Sequence, residues 1–226
     1  MKRIIAAIAC LGALSPVAQA DLSANVGVTS NYVFRGFSQT NGDPAIQGGI
    51  DYTHASGFYA GAWASQVDCP PNSSCAGIGN SNNDGLVVDT YAGLATELKG
   101  GYLIDLGIIQ YYYTDSNKKT QRELYFGLGY GPFMGTYYWG DDTGPANADY
   151  KYLDLKYKFD LGDDVGLTLH YGRKDYDNQS AVNDISASLN KEILGVDVRV
   201  TATAEDQTGS KREELFLTLT KTFDIN

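Results

Sequence analysis

The sequence predicts an all-β chain, a transmembrane antiparallel up-and-down β-barrel of twelve strands. Three observations point there. Apolar and polar residues alternate with period two along most of the chain. The connections between alternating segments are of two kinds, short and long, and the two kinds take turns. Aromatic side chains gather toward the ends of the segments.

The first twenty residues stand apart. Lys2 and Arg3 precede an apolar run from Ile4 to Leu14, and Ala18-Gln19-Ala20 follows. This order reads as a secretory signal peptide cut after Ala20. The run is too short to serve as a spanning helix, which needs ~20 apolar residues. Residues 21–226 form the expected barrel. They carry 15 bases against 27 acids, because both basic residues of the leader and no acid precede them; the formal charge is −12. With no basic patch, nucleic acid is excluded as a partner.

The alternation places strands at roughly 22–35, 45–54, 58–67, 86–96, 102–114, 120–130, 133–140, 150–159, 165–174, 184–191, 195–205 and 212–223. In the first, Leu22, Ala24, Val26 and Val28 alternate with Ser23, Asn25, Gly27 and Thr29, and Tyr32 and Phe34 extend the series. Val196, Val198, Val200, Ala202 and Ala204 alternate with Asp197, Arg199, Thr201, Thr203 and Glu205. Phe216 breaks the pattern in the last segment. Short links such as Gly131-Pro132 alternate with polar ones such as 36–44 and 68–85. An even strand count then puts both termini on the short-turn side, as in bacterial outer-membrane barrels. Hydrocarbon cannot satisfy an open sheet edge, so strands that cross it must close.

The aromatics fit two interfacial girdles. Tyr52, Phe58, Tyr59, Tyr102, Tyr130, Phe133, Tyr157, Phe159 and Phe223 are expected beside the short turns. Tyr32, Phe34, Tyr112, Tyr137, Tyr138 and Trp139 are expected toward the long loops.

Residues Asn25 to Trp63, "NVGVTSNYVFRGFSQTNGDPAIQGGIDYTHASGFYAGAW", resemble the start of the TorF family, Gram-negative proteins whose porin assignment is itself provisional. The shared segments are N-V-G-x-T-S-x-Y-x-F-R-G-x-S-Q, D-P-A-I-Q-G-G and G-F-Y-A-G-x-W, at 25–39, 43–49 and 57–63. The resemblance implies an outer-membrane barrel and a porin. It carries no catalytic residue and no solute.

If Leu22, Ala24 and Val26 face lipid, parity turns the other face of each strand toward the lumen. Charges fall there repeatedly, and a charge on the lipid face would cost up to about 2–4 kcal/mol at midplane. The candidate pore-lining residues are Arg35, Asp51, Asp89, Asp105, Glu123, Asp154, Lys156, Lys158, Asp197, Arg199 and Glu205. Asp184, Glu214 and Lys174 share their parity. Asp51, Asp89, Asp105 and Glu123 come from the second, fourth, fifth and sixth strands, and four of the five bases come from the eighth, ninth and eleventh. That division would set up a transverse field across a pore. The excess of acids predicts a weak cation preference.

Cys69 and Cys75 share one loop, and an exported chain meets an oxidising compartment, so a disulfide is expected there. "NSNNDG" (80–85) resembles the front of a calcium loop but has Tyr91 where the bidentate glutamate belongs, so it reads as a polar turn. No metal site and no cofactor are expected. Serine chemistry needs a base beside the nucleophile. Only His54 and His170 exist, with no G-x-S-x-G motif, so an enzyme is not expected.

The function expected is an outer-membrane channel for passive diffusion of small hydrophilic solutes or ions, embedded among lipid and lipopolysaccharide. The competing expectation is a non-conducting barrel with a structural role or a role in loop-mediated binding.

Overall fold

The computed structural model describes residues 20–68, 85–114, 120–142, 148–177, 179–207 and 210–225. Among them are fourteen strands and no helix. They are β1 (Asp21–Thr29), β2 (Val33–Phe34), β3 (Phe37–Ser38), β4 (Ala45–Thr53), β5 (Phe58–Val67), β6 (Gly85–Leu98), β7 (Tyr102–Tyr113), β8 (Thr120–Tyr130), β9 (Phe133–Asp142), β10 (Ala148–Asp160), β11 (Val165–Tyr176), β12 (Gln179–Ile193), β13 (Val196–Gln207) and β14 (Ser210–Asp224).

Twelve strands, β1 and β4 to β14, form one closed barrel in which each pairs with its sequence neighbours. β1 closes it. It pairs with β14 from Ser23↔Asp224 to Thr29↔Thr218, and with β4 from Asp21↔Thr53 to Thr29↔Ala45. Closure removes the unpaired edge that neither water nor lipid tolerates well. β2 and β3 form a separate two-stranded sheet.

Period-two sequence becomes a two-faced wall. Val26, Ile46, Ile50, Leu106, Ile108, Leu124, Leu189, Val200 and Leu215 are exposed on the outside. Such a continuous apolar surface is what a hydrocarbon environment covers. The alternate residues point inward, and among them Gln47, Ser65, Asp105, Glu123, Thr136, Asp184 and Glu205 are buried. Phe216 follows this parity: it pairs with Thr201 on the inner face.

The turns explain the registers. Leu194 (φ 52°) and Gly195 (φ 76°) link Ile193 to Val196, which pair directly. Two central residues with positive φ make a type I′ turn, whose twist matches that of paired strands.

The first expected strand is overturned beyond its middle. Alternation predicts 22–35, yet β1 ends at Thr29, and residues 31–40 leave the wall and turn inward. Two expected long connections are also short. β11 and β12 together take up most of 175–183, and β13 and β14 most of 206–211. Polar residues there do not end the strands, because strands standing above the apolar band need no apolar face.

Candidate functional site

The segment after β1 is a hairpin folded into the lumen. β2 and β3 pair as Val33↔Ser38 and Phe34↔Phe37, joined by Arg35 (φ 50°) and Gly36 (φ 82°). This is a second two-residue turn of the I′ kind. Gly36 is needed twice over. Its φ disfavours a side chain, and a Cβ there would stand 2.6 Å from the Glu205 Cβ and 3.0 Å from the Asp184 Cβ.

Asn31 anchors the hairpin's base. Its amide nitrogen donates to Glu214 Oε2 at 3.1 Å, and its amide oxygen accepts from Ser38 Oγ (2.6 Å) and Thr40 Oγ1 (3.1 Å). Ser30 N donates to the Leu217 carbonyl at 2.9 Å, and the Asp68 amide donates to the Gln39 carbonyl at 2.9 Å. The segment is thus tied to β14 on one side and to the end of β5 on the other.

The tip reaches the far wall. Arg35 Nη1 and Nη2 donate to Glu123 Oε1 and Oε2 of β8 at 2.6 and 2.9 Å. The guanidinium also lies over the rings of Phe34 (4.7 Å), Tyr138 (5.0 Å) and Tyr152 (4.0 Å). Tyr111 and Tyr150 hydroxyls donate to the same carboxylate at 2.9 and 2.5 Å. The Glu123 side chain is wholly buried. Bidentate charge-assisted geometry with full hydrogen bonding is what makes burial of both charges tolerable.

Arg35 therefore does not end the first strand, which stops at Thr29. It is a hairpin tip inside the barrel. The assignment of Tyr32 and Phe34 to the lipid girdle falls with it. Tyr32 packs edge-on against Trp63 at 5.4 Å, and Phe34 packs against Tyr111 at 5.8 Å. Tyr59 and Tyr138 also leave the girdles, because both point inward.

Two of the remaining acids of that wall, Asp51 and Asp105, accept from a tyrosine. Tyr91 donates to Asp51, and Tyr59 donates to Asp105 Oδ1 at 2.6 Å and bonds to Tyr125. Asp89 is buried with one carboxylate oxygen lacking a hydrogen-bond partner. Cross-strand glycines make room for the rings. A Cβ at Gly61, Gly93, Gly107 or Gly140 would strike Tyr91, Tyr59, Tyr125 or Tyr150, its direct partner in the register.

The bases pair with acids on their own wall more than across the lumen. Lys156 binds Asp154 at 2.7 Å, Arg199 binds Asp197 at 3.2 Å, and Arg212 reaches Glu205 at 3.5 Å. His170 stands between Asp154 and Asp184, with Nε2 at 3.3 Å from the first and Nδ1 at 3.4 Å from the second. Lys158 points inward from β10 and is open to the lumen. The expected field of acids facing bases is thus largely divided into local pairs, and among the described residues the Arg35–Glu123 pair spans the lumen through the hairpin. Among the described residues no cluster of histidine, cysteine, aspartate or glutamate has the geometry of a metal site. Cys69, Cys75 and the 80–84 turn lie outside the described residues.

Residues 12–223 match the model of the Gcw_chp family, described as bacterial proteins of unknown function. No curated protein matches the sequence. Three solved structures share the barrel. The COG4313 outer membrane channel from Pseudomonas putida F1 superposes with a TM-score of 0.59 at 11% identity, covering 96% of this chain and all of that one. The KdgM porin in complex with disordered oligogalacturonate gives 0.57 at 7% identity, covering 90% and 99%. The KdgM porin alone gives 0.55 at 8%, covering 91% and 99%. At these identities the likeness is one of fold.

Proposed function

We propose that the chain, which belongs to the Gcw_chp family of unknown function, is a porin-like channel of the outer membrane. Small hydrophilic solutes or ions would diffuse through a lumen narrowed by the hairpin of residues 31–40. The observation that carries this reading is the closed twelve-strand wall with an apolar outside and a charged, polar inside. The match of residues 25–63 to the TorF pattern supports it, and so does the likeness to channel folds. Carboxylates outnumber bases on the inward parity, which supports a weak cation preference. Lipid and lipopolysaccharide would cover the outer band, the cleaved leader would be residues 1–20, and Cys69 and Cys75 would be joined.

Planar bilayers with a potassium chloride gradient test the reading. The expected result is stepwise conductance with a reversal potential on the cation side. Clear anion selectivity overturns the preference. Folded protein that never conducts favours the second reading, a closed barrel serving structure or loop-mediated binding. The specific observation behind that alternative is the Arg35–Glu123 contact, which brings the hairpin tip to the opposite wall.

A further inference from the structure

The inward charges are sorted along the barrel axis. Toward the long loops, Arg35 has Glu123, Arg212 has Glu205, and Lys174 lies 3.8 Å from the Tyr150 ring centre. Toward the short turns stand Lys156 and Lys158 of β10 and Arg199 of β13. Lys158 is within electrostatic reach of the other two cations. Lys156 and Arg199 each hold a carboxylate, Asp154 and Asp197. The Lys158 ammonium makes no hydrogen bond or ion pair among the described residues, while its backbone amide donates to the Pro132 carbonyl at 3.0 Å, and Asp160 beside it caps the turn through the Gly162 amide at 2.9 Å.

The register places hydroxyls next to that free ammonium. Lys158 pairs with Thr168, Thr168 with Ser188, and Ser188 with Thr201. Ser188 and Thr201 hydroxyls bond to each other at 2.8 Å. Lys156 and Arg199 are each offset by their carboxylate, so the uncompensated charge of this quadrant is the Lys158 ammonium, which an anion would balance. An ammonium is a compact point charge with three donors, and hydroxyl donors complete the shell of a carboxylate.

We propose that Lys158, flanked by Lys156 and Arg199 and adjoined by Thr168 and Ser188, is a subsite for the carboxylate group of a small solute. The subsite rests on the channel reading, since a solute must reach the lumen. It acts on bound carboxylates and leaves the net preference for free ions to the whole lumen.

Titration of succinate into the detergent-folded protein, followed by broadening of the succinate methylene signal in NMR, reads binding without requiring conduction. Saturable binding is expected, with no comparable binding of uncharged succinamide. Lys158→Gln should weaken it at least five-fold, Lys158→Arg should keep it within about two-fold because a cation remains, and Lys151→Gln on the outer parity of β10 should leave it unchanged. Equal binding of succinamide, or an unchanged affinity in Lys158→Gln, overturns the subsite. If Lys158→Gln does not fold, binding by wild type that is indifferent to 0.5 M sodium chloride overturns it instead. Conductance without succinate binding refutes the subsite alone. Succinate binding to a barrel that passes no ions refutes the channel and leaves the subsite standing.

Discussion

Arg35 and Glu123, 88 residues apart, meet in a bidentate ion pair inside the barrel, at 2.6 and 2.9 Å. One belongs to a hairpin tip and the other to the wall, so the pair fixes how far the hairpin extends across the lumen. Removing one partner of a buried pair costs about 3–5 kcal/mol, because the other charge is left uncompensated. The wall has its own hydrogen bonds and survives that loss, whereas the hairpin's tip loses its ion pair to β8 and keeps packing contacts such as Phe34 on Tyr111. Arg35→Ala and Glu123→Gln should each raise single-channel conductance while the barrel keeps its heat-modifiable mobility on denaturing gels. Folded variants with wild-type conductance would show that the hairpin does not limit flow.

Gly36 separates backbone strain from crowding. Gly36 and Gly42 both have positive φ, at 82° and 94°, but an added Cβ meets Glu205 and Asp184 at Gly36 and open space at Gly42. A non-glycine residue held in such a conformation costs about 1–3 kcal/mol, and Gly36→Ala adds a clash that Gly42→Ala lacks. Gly36→Ala should therefore lower the urea midpoint more. It should also change the emission of Trp63, on which Tyr32 packs. Equal effects of the two substitutions would mean that the tip has room to shift.

Much of the wall was legible in the sequence, and the hairpin was not. Period two survives wherever one face meets lipid and the other the lumen, so residues such as Val196 to Glu205 declare both strand and facing. Residues 31–38 also alternate in part, and their aromatics resemble a girdle. What separates them is the Phe34-Arg35-Gly36-Phe37 order, an X-Gly pair between matched aromatics, which is a two-residue turn signal. Asn31, Ser38 and Thr40 were a second signal, small polar groups that satisfy one another where the chain leaves the sheet. Inward parity could be assigned to Asp51, Asp105 and Glu123 from the chain alone. Their tyrosine partners could not, because Tyr91, Tyr59 and Tyr150 reach them only after register and closure are set.

Neighbouring isoleucines on β7 test which face meets lipid. Ile108 is exposed on the outside, and Ile109 has the inward parity and pairs with Tyr91 and Glu123 on either side. An arginine on the lipid face costs about 2–4 kcal/mol near the midplane, and lumen positions are spared that cost. Ile108→Arg should lower stability in lipid vesicles by about that amount, while Ile109→Arg should lose much less. The reverse order would place the apolar band on the wrong side of the wall.

The glycine–tyrosine contacts make a coupled prediction. Gly107 lies opposite Tyr125, and a Cβ on Gly107 would strike that ring. The same tyrosine bonds Tyr59, which holds Asp105. Gly107→Val should displace the ring and cost about 1–3 kcal/mol, the usual penalty of overpacking. Tyr125→Ala removes the ring and the chain of hydroxyls at once. If the two side chains compete for one space, the double variant should be less destabilised than the sum of the singles, by about 0.5 kcal/mol or more in a double-mutant cycle. Additive losses, measured by urea unfolding with matched slopes, would mean that the ring does not occupy the space that Gly107 leaves open.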